Sequence, residues 1–256
     1  MAIIPKITAV SYLNTIPFVY GIEHAETLRA DLLLAPPADC AKNYIEGKAD
    51  IALLPAAVVP TLRDTNIITD YCIGAVGAVR TVTVMSDTPI GQVRRIWLDP
   101  HSRTSVQLCG YLAQHKWHIA PEWLAMTDYA ITEERSEGDA YLLIGDKVFD
   151  YEGRFKYCYD LAIEWREVTK LPFAFAVWVA RKGVPYEITD ELQRALTFGV
   201  EHIWEAVIES KYMGDDAGIT AYDYLTRNID FILDEEKHRA LKKFWDAGIR
   251  IVPRSY

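Results

Sequence analysis

The chain has few cysteines and no excess of basic residues. Its cysteines lie far apart in the 256-residue sequence, at Cys40, Cys72, Cys109 and Cys158. This spacing matches neither a paired-cysteine zinc motif nor a dense disulfide framework. The 36 acidic residues outnumber the 27 Lys and Arg residues, which gives a formal net charge of −9. We therefore expect reduced cysteines, no metal site and no nucleic-acid partner, because nucleic-acid binding normally requires a basic face. An anionic ligand would need a local positive site.

Signals for export and for membrane insertion are also missing. The first six residues lack the basic region and the apolar core of a signal peptide. The uncharged stretches 51–62 and 171–180 are too short to span a bilayer. We therefore expect a cytoplasmic protein with no membrane partner. A nucleophile elbow, a phosphate-binding loop and a dinucleotide-binding glycine fingerprint are all absent.

The first third of the sequence alternates short apolar segments with helical ones. Half of all residues are hydrophobic and a quarter are charged, which fits a soluble protein with a substantial core. The apolar segments predict strands at 6–10, 28–34, 49–54, 67–71 and 77–85, with a helix at 38–46. This order is typical of an open α/β sheet with helices on both faces, which binds ligands at the carboxyl ends of its strands.

A second unit of strands and helices begins after Ser86. The sequence of this unit predicts strands at 96–99, 123–126, 140–144, 157–161 and 171–181. Amphipathic helices are predicted after Pro185. A chain that leaves the first unit near Met85 and returns near Ala176 produces two lobes. We predict a first lobe of residues 1–86 and 176–256 and an inserted second lobe of residues 87–175. Each lobe is then an open mixed sheet flanked by helices, and the ligand lies in the cleft between them.

The strongest candidate for a binding site is the polar turn that follows the strand at 96–99. Ser102, Arg103, Thr104 and Ser105 precede a helix in the sequence. A helix N-terminus offers free backbone N–H groups and the positive end of the helix dipole. With short hydroxyls and a guanidinium added, the turn is suited to a carboxylate or a phosphate. The alternative is that Ser102 or Thr104 only caps the helix and Arg103 faces water.

Other predicted strand ends carry polar or small residues that could meet this turn, namely Ser11, Tyr12, Asn14, Pro55, Ala56, Gly145 and Asp146. Asn14 offers both a donor and an acceptor, or it fills a turn. Tyr12 contributes its hydroxyl, or it packs its ring alone. Asp146 acts as an acid or a base, orients Arg103, or caps a helix before Lys147.

Three further residues are candidates with structural alternatives. Ser86 ends a strand at the predicted crossing between the lobes, or it fills a turn. Arg80 is a charge inside an apolar strand, so it points into the cleft or lies on a sheet edge. His101 could titrate near neutral pH and act as a base, or it has a purely structural role.

Four motifs occur in one order along the chain: Val10–Pro17, Leu98–Asp99 with Ser102–Val106, Leu143–Asp146, and Leu171–Trp178. Together they resemble the chorismate dehydratase family of the futalosine route to menaquinone. The resemblance covers nearly the whole chain. It implies a type II periplasmic-binding-protein fold that serves as a cytosolic enzyme.

The resemblance implies dehydration of chorismate to 3-[(1-carboxyvinyl)oxy]benzoate, with no metal or organic cofactor. Loss of the ring C3 proton gives an extended dienolate, and expulsion of the C4 hydroxyl gives an aromatic ring. We expect the turn at Ser102–Ser105 to hold one carboxylate, and Asn14 and Ser86 to act as catalytic residues that orient the enolpyruvyl group or the departing hydroxyl. The substrate's own enolpyruvyl carboxylate is the expected base. The remaining expected substrate-binding residues are Ser11, Tyr12, Pro55, Ala56, Arg80, Gly145 and Asp146.

Two other functions remain open from the sequence. One is 1,4-dihydroxy-6-naphthoate synthase, an enzyme of the same pathway and fold, but the turn at Ser102–Ser105 and the motif at Ser11–Asn14 match the dehydratases better. The other is a non-catalytic receptor for carboxylates, for which an export signal is expected. The sequence leaves the oligomeric state open between a monomer and a homodimer.

Overall fold

The computed structural model describes residues 4–126, 131, 135–212 and 217–254, with side chains in the last range from residue 220 onward. The strands are β1 (Lys6–Val10), β2 (Asp31–Ala35), β3 (Ile51–Pro55), β4 (Thr65–Ala75), β5 (Val82–Ser86), β6 (Arg95–Leu98), β7 (Glu122–Ala125), β8 (Asp139–Ile144), β9 (Tyr157–Asp160), β10 (Phe173–Arg181) and β11 (Asp230–Ile232). The helices are α1 (Ile16–Glu23), α2 (Pro37–Ile45), α3 (Thr104–Leu112), α4 (Leu161–Thr169), α5 (Tyr186–Glu201), α6 (Ile203–Ile208), α7 (Ala217–Arg227) and α8 (Glu235–Asp246).

The strands form two mixed sheets, as the sequence predicted. The first sheet has the order β11-β4-β10-β3-β1-β2, and the second has the order β7-β6-β8-β5-β9. In the first sheet, β1 runs parallel to β2 and β3, while β10 runs antiparallel to β3 and β4. In the second sheet, β6 runs parallel to β7 and β8, while β5 runs antiparallel to β8 and β9. Each sheet is the centre of one lobe.

The crossings between the sheets lie earlier in the chain than predicted. The chain leaves the first sheet after Ala75, and β5 already belongs to the second sheet, so residues 82–86 lie in the second lobe rather than the first. The return falls between Asp160 and Phe173. The predicted strand 77–85 was too long, because residues 77–81 form the connection. Strand β5 is fully buried, so its apolar pattern could not show which sheet it joins.

Close contact between two helices stabilises the first lobe. A Cβ atom on Gly199 of α5 would lie 1.8 Å from the Pro17 carbonyl oxygen, and a Cβ atom on Gly21 of α1 would lie 2.0 Å from the Ala195 carbonyl oxygen. These glycines therefore let the two helix backbones touch. Helix α5 ends at Glu201, two residues after Gly199, and α6 begins at Ile203. Within the described ranges, none of the helices combines the length and apolar character needed to cross a membrane.

The substitution Gly199→Ala tests this helix contact. The added methyl group must push the α1 backbone away, and overpacking of this kind costs about 1–3 kcal/mol of unfolding free energy. Urea denaturation measures the loss. The control is Gly77→Ala, because a Cβ atom there meets nothing within 4 Å. Equal stability of the two variants would contradict the proposed contact.

Candidate functional site between the two lobes

A pocket lined by residues of both lobes lies between the two sheets. Eight of the predicted residues line it: Tyr12, Asn14, Pro55, Ser102, Arg103, Thr104, Ser105 and Gly145. The first lobe contributes the ends of β1 and β3 and the start of β10. The second lobe contributes the start of β5, the end of β8 and the turn before α3. The structure thus brings these separate strand ends together.

The start of α3 is open to a ligand in the pocket. Arg103 is the N-cap residue, and no side chain accepts a hydrogen bond from the first turn as a cap. Ser102 is 3% exposed, and its hydroxyl has no hydrogen-bond partner among the described residues. A buried polar atom normally has a partner. The Ser102 hydroxyl and the N–H groups at the start of α3 are therefore groups that could donate to an anionic ligand.

Arg103 supplies the positive charge of the pocket. It is the one charged residue among the described residues that line the pocket. Its side chain is exposed, and its Nη1 donates to the carbonyl oxygens of Pro100 (3.1 Å) and Ser102 (2.9 Å). Arg103 therefore supports the turn and also places a cation at the pocket. This local charge can attract an anion although the whole chain is acidic.

Thr104 joins the two lobes through its side chain. Its hydroxyl donates to the Phe175 carbonyl oxygen at 2.9 Å and accepts from the Ala57 backbone N–H at 3.2 Å. Both partners belong to the first lobe, whereas α3 belongs to the second. The hydroxyl predicted to bind substrate is thus already engaged by two hydrogen bonds between the lobes.

Asp146 forms a second connection between the lobes. Its carboxylate accepts hydrogen bonds from the Leu13 backbone N–H at 3.0 Å and from the Tyr212 hydroxyl. Burial raises the pKa of Asp146, and these hydrogen bonds act in the opposite direction. Asp146 does not line the pocket. It neither orients Arg103 nor caps a helix of its own lobe, but it binds the turn that follows β1 in the other lobe.

Tyr12 packs across the cleft against Gly145. Gly145 has φ +75°, and a Cβ atom there would lie 2.8 Å from the Tyr12 ring, so both its conformation and this contact require glycine. The Tyr12 hydroxyl lies 3.3 Å from Nδ1 of His101. Burial lowers the pKa of His101. Tyr12 therefore uses both its ring and its hydroxyl at the interface.

Buried Asp99 fixes the turn that carries the site. One carboxylate oxygen accepts from the His101 backbone N–H at 3.0 Å, and the other accepts from the Ile144 N–H at 3.2 Å. Lys147 pairs with the second oxygen at 2.5 Å. The ends of β6 and β8 are thereby joined beneath the pocket.

Two of the predicted residues lie away from the pocket because of strand direction. Strand β5 runs antiparallel to β8, so Ser86 at its carboxyl end lies at the edge of the sheet opposite Gly145. The Ser86 hydroxyl donates to the Asp139 carbonyl oxygen and accepts from the Thr88 N–H. Arg80 lies in the connection before β5 and forms an ion pair with Glu152 at 2.9 Å. Neither lines the pocket, which corrects the predicted placement of both.

Ser11 and Ala56 also lie outside the pocket. Ser11 faces a separate groove beside α1 and α6. Ala56 is buried, and its backbone N–H donates to the Phe175 carbonyl oxygen at 2.9 Å while its carbonyl oxygen accepts from Trp245 Nε1. In both cases the neighbouring residue, Tyr12 or Pro55, reaches the pocket instead.

Eight further described residues line the pocket and were not predicted from the sequence: Val10, Pro37, Ile73, Thr81, Val82, Ile144, Phe175 and Ala176. Val10, Ile144, Phe175 and Ala176 all lie in the four motifs, and Val10 and Ile144 are the last residues of predicted strands. Their positions in the motifs and at the strand ends could therefore have identified these residues from the sequence. Thr81 gave none, because it lies at the amino end of an antiparallel strand.

The pocket offers few groups that can exchange protons. Tyr12 and Arg103 are the only ionisable residues among the described residues that line it. Throughout the described part of the chain, no three His, Cys, Asp or Glu side chains are grouped to hold a metal ion. The chemistry of the pocket is therefore that of hydroxyls, amides, backbone N–H groups and one guanidinium.

Comparison with known proteins places the chain in a family. A family model described as menaquinone biosynthesis matches residues 5–249. The chain belongs to this menaquinone-biosynthesis family. A protein of Thermus thermophilus named chorismate dehydratase is 25% identical, in an alignment that covers 88% of this chain and 89% of that protein.

Solved structures show the same fold. A protein of Archaeoglobus fulgidus superposes with a TM-score of 0.69 at 18% identity, covering 94% of this chain and 95% of the other. A Candida albicans protein, described as having the generic periplasmic binding protein structural fold, has a TM-score of 0.65 at 11% identity and covers 96% and 91% of the two chains. The predicted periplasmic-binding-protein fold is therefore confirmed.

The substitution Thr104→Val tests the interlobe hydrogen bonds. It keeps the side-chain shape but leaves the part-buried Ala57 N–H and the buried Phe175 carbonyl without their partner, at a cost of about 1–3 kcal/mol. Thermal unfolding measures the loss. Ser102→Ala is the matched control, since it removes a buried hydroxyl to which none of the described residues is hydrogen-bonded, and it should change stability by less than about 0.5 kcal/mol. A loss in Ser102→Ala as large as that in Thr104→Val would refute this distinction.

Proposed function

We propose that this protein is a hydro-lyase that converts chorismate to 3-[(1-carboxyvinyl)oxy]benzoate. The observation that carries the proposal is the uncapped start of α3, where the buried Ser102 hydroxyl has no partner among the described residues. Membership of the menaquinone-biosynthesis family and the similarity to a protein named chorismate dehydratase support it.

The substrate's charges match the polarity of the pocket. Chorismate carries two carboxylates, and the pocket combines one anion seat at the start of α3 with the Arg103 cation. Hydrogen bonds from N–H, hydroxyl and guanidinium donors to a carboxylate are stronger than those to neutral acceptors. Apolar residues of both lobes, including Ile73, Val82 and Phe175, form the rest of the lining. They are suited to the carbon ring.

The lack of a protein base in the described lining favours removal of the C3 proton by the substrate's own enolpyruvyl carboxylate. The electron pair of the C3–H bond moves into the ring and toward the ring carboxylate, giving a dienolate. Its collapse breaks the C4–O bond, and the hydroxide leaves with the abstracted proton as water. The ring becomes aromatic, so the protein's task is to orient the reacting groups.

Asn14 remains the proposed catalytic residue of the first lobe. It lines the pocket, and its Oδ1 accepts from the Thr15 hydroxyl at 3.2 Å. Its amide group can orient the enolpyruvyl group or the departing hydroxyl. Ser86 is not retained in this role, because its hydroxyl is hydrogen-bonded within the second lobe.

Incubation of the protein with chorismate separates this function from its rivals. We expect the protein to convert chorismate to the benzoate product without added metal or cofactor. Chromatography measures this conversion. A receptor of the same fold would bind chorismate without converting it, and a 1,4-dihydroxy-6-naphthoate synthase would leave it unchanged. Either result would refute the proposed activity.

Substitutions in the α3 turn test how the substrate is held. Ser102→Ala and Arg103→Gln each remove a donor to a carboxylate, so we expect the KM for chorismate to rise about 10- to 100-fold, as the loss of a charge-assisted hydrogen bond predicts. Steady-state kinetics measures the change. The control is Arg239→Gln, an exposed residue of α8 paired with Glu236. An unchanged KM in both turn variants would contradict the proposed anion seat.

A further inference from the structure

Tyr224 is a buried tyrosine whose hydroxyl points to the pocket wall without lining the pocket. It lies on α7 and is 1% exposed. Its hydroxyl lies 2.7 Å from the Thr81 hydroxyl. The rings of Tyr224 and Phe149 pack edge to face, with their centroids 5.4 Å apart. The tyrosine therefore has one defined position, set by packing from both lobes.

One residue that lines the pocket is hydrogen-bonded to this hydroxyl. Thr81 lines the pocket and is 1% exposed. Asn14 lines the pocket from the other lobe, and its side chain acts to lower the pKa of Tyr224. Tyr224 therefore bonds to one polar group of the pocket wall and lies within the influence of a second.

The backbone around Thr81 is held in the same region. The Gly145 N–H donates to the Thr81 carbonyl oxygen at 2.9 Å. Asn228, which follows α7, donates from its side chain to the Ala78 carbonyl oxygen at 2.9 Å. The connection between the lobes is thus fastened to α7, so the Tyr224 hydroxyl and Thr81 have little freedom to move apart.

Tyr224 keeps its proton throughout the physiological range. Burial raises the pKa of the Tyr224 hydroxyl well above the ordinary value, outweighing the opposite effects of the Thr81 and Asn14 side chains. A neutral hydroxyl that stays protonated is suited to orienting its neighbours, and it is a poor base for the reaction.

We propose that Tyr224 is a positioning residue that fixes the Thr81 hydroxyl in the wall of the pocket. This inference rests on the proposed dehydration of chorismate. Small errors in the placement of reacting groups reduce the rate strongly. The hydroxyl of Tyr224, rather than its ring, carries the effect.

The test is Tyr224→Phe, which removes only the hydroxyl. We expect kcat to fall about 10- to 100-fold, as misplacement of groups around a reacting substrate predicts, with KM changed by less than about threefold. Tyr71→Phe is the matched control. Tyr71 is also buried, and its hydroxyl also bonds to a threonine, Thr197, at 3.1 Å, but neither residue lines the pocket. The two variants should lose similar stability, and only Tyr224→Phe should lose kcat.

A double-mutant cycle shows whether Tyr224 acts through Thr81. When Tyr224 acts through Thr81, the double variant Tyr224→Phe with Thr81→Val has nearly the same kcat as Thr81→Val alone, because the effects of coupled residues do not add. Thr81→Ser keeps the hydroxyl and should retain most of the activity.

Three outcomes decide the inference. A selective loss of kcat in Tyr224→Phe with a non-additive double variant supports it. Full activity of Tyr224→Phe, or losses equal to those of Tyr71→Phe, overturns the positioning role and leaves the proposed dehydration intact. A wild-type protein that does not convert chorismate overturns both.

Discussion

Hydrogen bonds between the lobes determine the shape of the site. The Thr104 hydroxyl bonds to the backbone of the first lobe on one side of the cleft, and the Asp146 carboxylate bonds to the Leu13 N–H on the other. Both side chains come from the second lobe, and both are anchored to backbone groups of the first. These contacts link the two lobes beside the pocket, and one continuous apolar cluster also spans both lobes.

Consecutive residues of the turn before α3 have different roles. Ser102 has a buried hydroxyl without a hydrogen-bond partner among the described residues, and Arg103 provides charge at the pocket. Thr104 joins the lobes with a hydroxyl of similar chemistry. The proposed anion-binding group and a contact between the lobes are therefore neighbours in the chain.

The fold and half of the described lining could be predicted from the sequence, because both depend on local patterns. Strands, caps and the carboxyl ends of parallel strands are visible in single segments. Ser86 was wrongly placed at the pocket because the direction of β5 relative to β8 is a tertiary property. Thr81 was missed for the same reason. It precedes the amino end of β5, which lies beside the carboxyl end of β8 only because the two strands are antiparallel.

The roles of hydrogen-bonding groups were harder to predict than their positions. Thr104 was correctly placed at the pocket, yet its hydroxyl is occupied by the other lobe. Asp146 was selected as polar and near the site, but its partners, Leu13 and Tyr212, lie more than sixty residues away in sequence. No spacing rule connects residues so distant along the chain. Only the packing of the lobes reveals which polar groups remain free for a ligand.

The most direct measurement of the central claim is a crystal structure of the protein with 3-[(1-carboxyvinyl)oxy]benzoate bound. The account predicts one carboxylate of the product within hydrogen-bond distance of the Ser102 hydroxyl and of the first backbone N–H groups of α3. A product bound outside the cleft between the lobes, or with both carboxylates directed away from Ser102, would contradict it.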